Sequence, residues 1–302
     1  GSGISGMDVG SASIKLNDDG FYALTIGAAD MGTGCDTTLS QIAAECLECS
    51  VDDIVVYGAD TDFSPYDSGS YASSTAYVTG KAVERACREL KEKMTVIASE
   101  LLSVPASDLV FAADGIGTAD GKAKVSLAKI AAKSMNGNNE AVQATVSHSS
   151  PVSPPPFMAG MVELEVDKET GAVEILDYAA VVDCGTPLNS NLVKVQTEGG
   201  LAQGIGMALY EDVTYNERGR IYEDSFMQYK IPTRLDVGKL RVEFESSYEE
   251  TGPFGAKSIG EIVINTPSPA IAHAIYNATG VWHRELPITP EKVLRGILSH
   301  EN

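Results

Sequence analysis

Alternating apolar and polar residues near the start of the chain predict two strands joined by a hairpin. Residues 11–15 and 21–26 have the two-residue period of a strand, and Asn17-Asp18-Asp19-Gly20 between them is a strong turn signal. Residues 37–49 then change to helical spacing, with Leu39, Ile42, Ala43 and Leu47 on one side. Residues 53–56 predict a further short strand. The pattern therefore predicts strands that alternate with amphipathic helices.

Two longer helices are predicted, and both contain glycine. One runs from Ser74 to about Leu102, with apolar residues on its buried side, and Gly80 lies inside it. Because glycine weakens a helix interior, Gly80 indicates close packing at that point. The other covers residues 191–210 and is rich in glycine and alanine. Its glycines permit close approach to a neighbouring element or to a ligand.

The remaining elements indicate the fold class. Strands over 161–166 and 173–182 flank the turn Asp167-Lys168-Glu169-Thr170-Gly171. A short final helix is predicted to start at Thr289-Pro290-Glu291. Strands mixed with helices, without a regular alternation of the two, predict an α+β fold with mixed sheets and packed helices.

The clearest change in composition is the Pro- and Ser-rich stretch 148–156, where proline forbids regular structure. We place a boundary there, which divides the chain into a first lobe over residues 1–147 and a second over 157–302. A long crossing loop inside one domain explains the stretch nearly as well. With 302 residues and 43% apolar content, either arrangement can bury a sizeable core.

The charge and the cysteines limit the possible functions. The formal net charge of −20, from 22 basic and 42 acidic residues, argues against nucleic acid and anionic membranes as partners. Neither a membrane-spanning run nor a signal peptide is visible, so we expect a cytoplasmic protein. The five cysteines include the pair Cys46 and Cys49, for which free thiols in or near a core are the favoured interpretation.

Three segments could bind an anion or a polar ligand. In the first, a predicted strand enters the glycine-rich turn containing Gly32, Thr33 and Gly34, and a helix containing Thr37 follows directly. Backbone N–H groups and the helix N-terminus of such a loop can hold a phosphate without a basic side chain. An ordinary strand–helix turn fits the pattern equally well.

The second segment is Asp67-Ser68-Gly69-Ser70-Tyr71-Ala72-Ser73-Ser74-Thr75, whose hydroxyls precede a helix, although a plain serine-rich N-cap is the simpler interpretation. The third includes Gln196 and Gln203, seven residues apart on one helix face, where their amides could bond a polar heterocycle. Surface amides on a close-packed helix are the alternative.

The fourth candidate is Glu261, which follows Gly260 and precedes the apolar run Ile262-Val263-Ile264. A helix is predicted to begin at Thr266-Pro267 or Ser268-Pro269. A carboxylate among apolar neighbours tends to be desolvated, which raises its pKa and suits it to act as a general base. From the residues alone, a helix-entry carboxylate is about as well supported. Nearby, Lys257 is interpreted as a solvated loop lysine.

Taken in order, these segments resemble the molybdenum hydroxylases, the xanthine dehydrogenase/aldehyde oxidase family, and the resemblance covers nearly the whole chain. The matching part is the second molybdopterin-binding domain of the family's large subunit, which implies two lobes forming one molybdopterin-binding unit. The resemblance implies that Glu261 is the catalytic base, next to Gly260, and that molybdenum is held through the pterin cofactor. The implied cofactor-binding residues are Gly32, Thr33, Gly34, Thr37, Ala72, Ser73, Ser74, Thr75, Gln196 and Gly260.

One departure from the family pattern concerns Thr33, since many members have glutamine between the two loop glycines. A side-chain amide contact to the cofactor is therefore in doubt at this position. The implied cofactor is molybdopterin with molybdenum, and we expect its cytosine dinucleotide form.

The resemblance also implies missing partners. A first molybdopterin-binding half, [2Fe-2S] segments and an FAD-binding part are absent, so the chain is expected to be an excised C-terminal piece or a split subunit. The expected reaction is hydroxylation, with water, of an electron-poor C–H in a purine or other N-heterocycle. An aldehyde-oxidising member of the same family, or a non-catalytic cofactor-binding scaffold, is the alternative.

Overall fold

The computed structural model describes residues 2–112, 114–137 and 140–300. They divide into two compact units, neither of which is one continuous stretch. Unit 1 comprises Gly1–Pro155, Gly185–Asn189 and Ser247–Ser258, and unit 2 comprises Pro156–Cys184, Ser190–Ser246 and Ile259–Asn302. Mixed sheets with packed helices occur in both units, which confirms the predicted fold class. The boundary proposed at residues 148–156 stays a prediction.

Unit 1 is built on a mixed sheet of four strands: β1 (Gly10–Leu16), β2 (Tyr22–Ile26), β3 (Ile54–Gly58) and β7 (Gln143–His148). Their order in the sheet is β3-β2-β1-β7. Strand β1 is antiparallel to both β2 and β7, and Ile14 lies opposite Leu24, so the predicted hairpin is confirmed. Strand β3 instead lies parallel to β2.

Helices α1 (Cys35–Leu47) and α2 (Gly80–Leu102) contribute to one apolar core with this sheet. A five-residue π-helix, Thr75–Thr79, leads into α2, so helical structure starts where the sequence predicted. A β-carbon on Gly80 would lie 2.9 Å from Cδ1 of Ile42 and 3.0 Å from Cγ of Pro253, which confirms close packing there. Cys46 is buried and Cys49 half-buried, and both thiols are free.

A smaller sheet of unit 1 has the order β4-β5-β6, and a helix follows it. These elements are β4 (Leu109–Ala112), β5 (Gly115–Thr118), β6 (Lys124–Val125) and α3 (Leu127–Gly137). The late segments of unit 1 are joined to each other by backbone contacts: Gly185 pairs with Ala256, and the Thr186 N–H donates to the Gly255 carbonyl over 2.9 Å. Within the residues described, no helix is both long and apolar enough to cross a membrane.

Within the described part of unit 2, the strands are β8 (Phe157–Val166), β9 (Val173–Asp183) and β10 (Lys239–Phe244), and the α-helices are α4 (Ser190–Leu209), α5 (Pro267–Thr279) and α6 (Pro290–His300). The sheet has the strand order β10-β9-β8. Strands β8 and β9 form the predicted antiparallel pair, whereas β10 runs parallel to β9.

Glycines of α4 bring two neighbouring segments close to the helix. A β-carbon on Gly200 would lie 2.1 Å from Cγ2 of Val263, and one on Gly204 would lie 2.5 Å from Cγ of Pro267. Both distances are far below van der Waals contact, so only glycine permits this packing. These contacts fix the segment that carries Glu261 and the start of α5 against α4.

Pro267 is the first residue of α5, as the sequence predicted, but Thr266 does not use its side chain to cap the helix. Its hydroxyl accepts a hydrogen bond from the Tyr178 hydroxyl over 3.0 Å and lies 3.7 Å from the Met158 sulfur. The side chain of Thr266 therefore ties the start of α5 to strands β8 and β9.

Candidate functional site

The glycine-rich loop of unit 1 folds around the carboxylate of Asp30. Gly32 and Gly34 have φ angles of 100° and 76°, which glycine adopts without strain. The Asp30 carboxylate accepts hydrogen bonds from the N–H groups of Gly32 (2.9 Å), Gly34 (3.1 Å) and Asp36 (3.4 Å). The N–H groups predicted to face an anion are thus turned toward a carboxylate of the chain itself.

This arrangement changes what the loop can do. Although partial desolvation acts to raise it, the pKa of Asp30 is lowered below its ordinary value because several loop N–H groups stabilise the charged form. A phosphate bound at the same N–H groups would have to displace a carboxylate that is already in place. Gly32, Thr33 and Thr37 are exposed and Gly34 is half-buried. A ligand can therefore still reach the loop through groups other than the N–H groups that donate to Asp30.

Asp30→Asn is expected to lower the free energy of unfolding by about 1 kcal/mol at pH 7, because a neutral amide oxygen accepts the hydrogen bonds of the loop N–H groups more weakly than a carboxylate does. Because the folded-state pKa lies below the unfolded value of about 3.9, the stabilisation is complete above that value and is lost as pH falls through the folded pKa. Urea unfolding at pH 7 and pH 3 would measure this, with Asp62→Asn as the charge-matched control. An equal difference between variant and wild type at both pH values would contradict the role of the charge.

Asp30, Cys35 and Asp36 place potential ligand atoms within 4.8 Å of one another. Burial, together with the charges of Asp30 and Asp36, raises the pKa of the Cys35 thiol to about 12. The Asp30 oxygens already accept hydrogen bonds from the loop N–H groups, so we assign no metal to this cluster.

The serine-rich turn of unit 1 contains two consecutive non-glycine residues in the left-handed region, Ala72 (φ 49°) and Ser73 (φ 57°). Such conformations cost energy and concentrate at functional sites. Several hydroxyls of the turn are used to fold it. That of Ser74 donates to the Gly69 carbonyl over 3.0 Å, and that of Thr75 donates to the Ser70 hydroxyl over 2.7 Å. Because these two hydroxyls already donate within the turn, a ligand of the turn would bind mainly to its backbone groups.

Unit 2 contains a pocket of about 340 Å³ that brings together the residues predicted around Glu261. It is lined by Val195, Gln196, Gly199, Gly200, Gln203, Gly260, Glu261 and Ile264. The volume is within the range of small-molecule sites. The Gln196 amide lies 3.4 Å from the Gly260 carbonyl, which links helix α4 to the loop that carries Glu261. Both glutamines predicted to share a helix face line the pocket.

Glu261 is exposed in the chain, in contrast to the expected desolvation. It directly precedes the short 3₁₀-helix Ile262–Ile264, in which Val263 is the buried residue. The apolar run after Glu261 thus packs inward through Val263, while the carboxylate lies at the solvent-facing pocket. Lys257 was also interpreted wrongly, because it is buried and its ammonium group lies 3.3 Å from the Pro155 carbonyl.

The sequence reasoning did not single out Asp30 or Gly199. An aspartate two residues before a glycine is the signature of an Asx turn, which could have identified Asp30. Gly199 has no comparable sequence signal. What distinguishes it is open space above its α-carbon.

Comparison with known proteins gives consistent matches. Residues 1–238 match the family model described as "Molybdopterin cofactor-binding domain". The chain is 36% identical to the probable hypoxanthine oxidase XdhD of Escherichia coli (strain K12) over 98% of its length. It is 32% identical to the xanthine dehydrogenase molybdenum-binding subunit of Escherichia coli O157:H7 over 95% of its length.

Among solved structures, quinoline 2-oxidoreductase from Pseudomonas putida 86 matches 96% of the chain with a TM-score of 0.89 and 28% identity. The chain corresponds to 31% and 39% of the two curated relatives and to 38% of this structure. It therefore spans about a third of the length of these proteins.

Proposed function

The chain belongs to the molybdopterin cofactor-binding domain family of the molybdenum hydroxylases, and on that premise we propose that it supplies the catalytic base of such an enzyme. The observation that carries the proposal is the pocket of unit 2, where the Glu261 carboxylate occurs with the Gln196 and Gln203 amides. In this proposal the chain is the C-terminal part, or a split subunit, of an enzyme that hydroxylates an electron-poor C–H with water.

The residues present fit a molybdopterin. A pterin ring carries N–H and carbonyl groups, which neutral amides such as Gln196 and Gln203 can pair with. Apart from the adjacent residues and, for Gly199, the backbone of its own helix, no atom of the described residues lies within 4 Å of the position that a β-carbon would take at Gly32 or Gly199. A flat ring could therefore approach the backbone there. We propose that Gly32, Thr33, Gly34 and Thr37, through groups other than the N–H groups that bind Asp30, help to hold the pterin and its phosphate together with the turn from Ala72 to Thr75. Gln196 and Gly260 are proposed as further contacts of the cofactor.

When bound, the molybdenum cofactor supplies the two-electron oxidation that hydroxylation requires. The role proposed for this chain is proton transfer and orientation. One oxygen of the Glu261 carboxylate takes the proton released as water is incorporated, a step for which a positioned carboxylate contributes about 10²–10⁴-fold. The Gln196 amide, 3.4 Å from the Gly260 carbonyl, helps to hold the loop in place during that transfer.

The proposed substrate is a purine or another N-heterocycle. The names of two relatives, a hypoxanthine oxidase and a xanthine dehydrogenase subunit, support a purine, and the quinoline enzyme supports the wider class. Two amides beside a carboxylate also fit a ring with several polar atoms better than they fit a simple aldehyde. An aldehyde remains the second candidate.

The experiment that tests the proposal is expression of the chain with its partner polypeptides, followed by metal analysis and assays with hypoxanthine, nicotinate and an aldehyde. We expect bound molybdenum, cytosine dinucleotide released on denaturation, and turnover of at least one heterocycle. Bound molybdenum without turnover of any substrate would favour the non-catalytic scaffold. Turnover restricted to the aldehyde would overturn the substrate proposal.

Partner polypeptides are proposed to carry the first molybdopterin-binding half, [2Fe-2S] clusters and FAD. Three exposed apolar side chains of unit 2 support an assembly. Phe226, Met227 and Leu235 are 80%, 79% and 91% exposed. The segment around them is folded by its own bonds, including those from the Thr214 N–H and hydroxyl to the Glu223 carboxylate. Exposed apolar side chains mark a protein–protein interface where they form a contiguous patch, and we propose that these three side chains belong to one.

The double variant Phe226→Ser, Leu235→Ser is expected to lose most co-purification with the partner polypeptides, because it removes two apolar contacts from the proposed interface. Its melting temperature should stay within about 2 °C of the wild type, since surface substitutions have small effects on stability. Gel filtration of the co-expressed proteins measures assembly, and a thermal melting curve of the purified variant measures folding. Phe226→Tyr, Leu235→Met is the matched control, and wild-type assembly by the serine variant would exclude this surface from the interface.

A further inference from the structure

Helix α4 contains four glycines, Gly199, Gly200, Gly204 and Gly206, and packing explains only three of them. At Gly200 and Gly204, a β-carbon would collide with Val263 and Pro267. At Gly206 it would lie 2.1 Å from Oε1 of Glu211 and 2.9 Å from Cδ of Pro232. At Gly199, apart from the adjacent residues and the backbone of the helix itself, no heavy atom of the described residues lies within 4 Å of that position.

A glycine in a helix interior weakens the helix relative to alanine. Gly199 therefore has a cost in stability that contacts within the described part of the chain do not explain. Its position suggests another reason, because Gly199 lines the pocket that contains Glu261. An alanine methyl group at this position would extend into the open space of the pocket.

The helix places Gly199 between the two amides of the pocket. Gln196 precedes it by three residues and Gln203 follows it by four, so the three positions share one face of α4. With a rise of about 1.5 Å per residue, the two glutamines are separated by about 10 Å along the axis. The backbone at Gly199, which carries no side chain, thus lies between the side-chain amides of Gln196 and Gln203, each of which can donate and accept hydrogen bonds.

We propose that Gly199 is a specificity-determining residue, whose missing side chain lets a flat nitrogen heterocycle lie against helix α4 between Gln196 and Gln203. The inference rests on the proposed function and adds to it the surface that receives the ring. Two rings have this chemistry: the pterin of the cofactor and the heterocycle of the substrate.

The test uses Gly199→Ala and Gly199→Leu in the assembled enzyme and in the purified chain. Both replacements are better helix formers than glycine. The melting temperature of the purified chain should therefore rise, by about 2 °C for the alanine variant. Binding of the ring should be weaker in Gly199→Ala than in the wild type and weakest in Gly199→Leu, whose kcat/KM should be at least about tenfold lower. Gly200→Ala is the control, and its melting temperature should fall because its β-carbon meets Val263.

Further measurements identify the ring and separate this inference from the proposed function. If the pterin lies on Gly199, molybdenum content falls with side-chain size. If the substrate does, molybdenum content is unchanged while KM for the heterocycle rises. Saturation-transfer NMR of the purified chain with free pterin and with hypoxanthine measures ring binding without bound molybdenum cofactor. Gly199→Leu should abolish the saturation-transfer signal of the ring.

Two results would overturn the inference. A lower melting temperature for Gly199→Ala would show that packing requires the glycine. Wild-type molybdenum content, kinetics and NMR signals in Gly199→Leu would show that no ring lies there. If the wild-type assembly held no molybdenum, the proposed function would fail, while ring binding by the purified chain and its loss in Gly199→Leu would still decide the role of Gly199.

Discussion

Glu261→Gln is expected to lower turnover of the assembled enzyme by about 10²–10⁴-fold, the usual contribution of a general base, while molybdenum content stays unchanged. Glutamine keeps the size and hydrogen-bonding capacity of the side chain but cannot take up the proton. Because Glu261 is exposed in the chain, the substitution should hardly affect folding. Steady-state kinetics with a heterocycle, metal analysis and a melting curve on the same preparation measure the three quantities.

Two further variants make the result specific to Glu261. Glu198→Gln removes a carboxylate from helix α4 that lies 4.0 Å from the Lys194 ammonium group, and it should retain wild-type kinetics. Glu261→Asp keeps the carboxylate but shortens its reach, so part of the activity should return. Undiminished turnover by a metal-loaded Glu261→Gln enzyme would reject the base assignment.

The elements that the sequence predicted share a strong local signal. The hairpin of β1 and β2 combines strict alternation with a four-residue turn, and α2 has an apolar stripe over 23 residues. Close approach to a neighbouring element, one of the two roles predicted for the glycines of α4, is confirmed at Gly200 and Gly204. In each case the information lies within about 25 neighbouring residues.

Elements that depend on distant partners were not predicted. Strand β10 is six residues long and gains its place through the parallel pairing of Lys239 with Asp177, which no local pattern encodes. The parallel pairing of β3 with β2 could likewise not be predicted, because α1 separates the two strands in the sequence. The small strands β4, β5 and β6 have two to four residues each, too few for a period to show.

The same division applies to the candidate site. The family resemblance implied that Gln196 and Gly260 lie near Glu261, whereas helical spacing linked Gln203 only to Gln196. All four residues line the pocket of unit 2. The exposure of Glu261 was not predictable, because an apolar run does not reveal which of its members faces the core. Only Val263 of that run is fully buried, and it packs on Gly200, 63 residues earlier.

The contact between Gly200 and Val263 leads to the second large effect that we expect. Gly200→Ala should lower the free energy of unfolding by about 1–3 kcal/mol, because the new β-carbon would lie 2.1 Å from Cγ2 and 2.8 Å from Cβ of Val263. Val263 is β-branched and buried, so it has little freedom to rotate away. The segment of Glu261 must move instead, and a shift of about 1 Å can lower turnover about 100-fold.

A double-variant cycle with Val263→Ala tests whether the effect passes through this contact. Val263→Ala alone leaves space beside α4 and should be destabilising by itself. Combined with Gly200→Ala, it removes the closest collision, which is with Cγ2 of Val263, so the losses of stability and of turnover in the double variant should be smaller than the sum of the two single losses. Additive losses in the double variant would mean that Gly200 acts elsewhere. Gly199→Ala, one residue away and facing open space, should show no such coupling to Val263. Coupling confined to Gly200 would therefore establish that its contact with Val263 positions the Glu261 carboxylate.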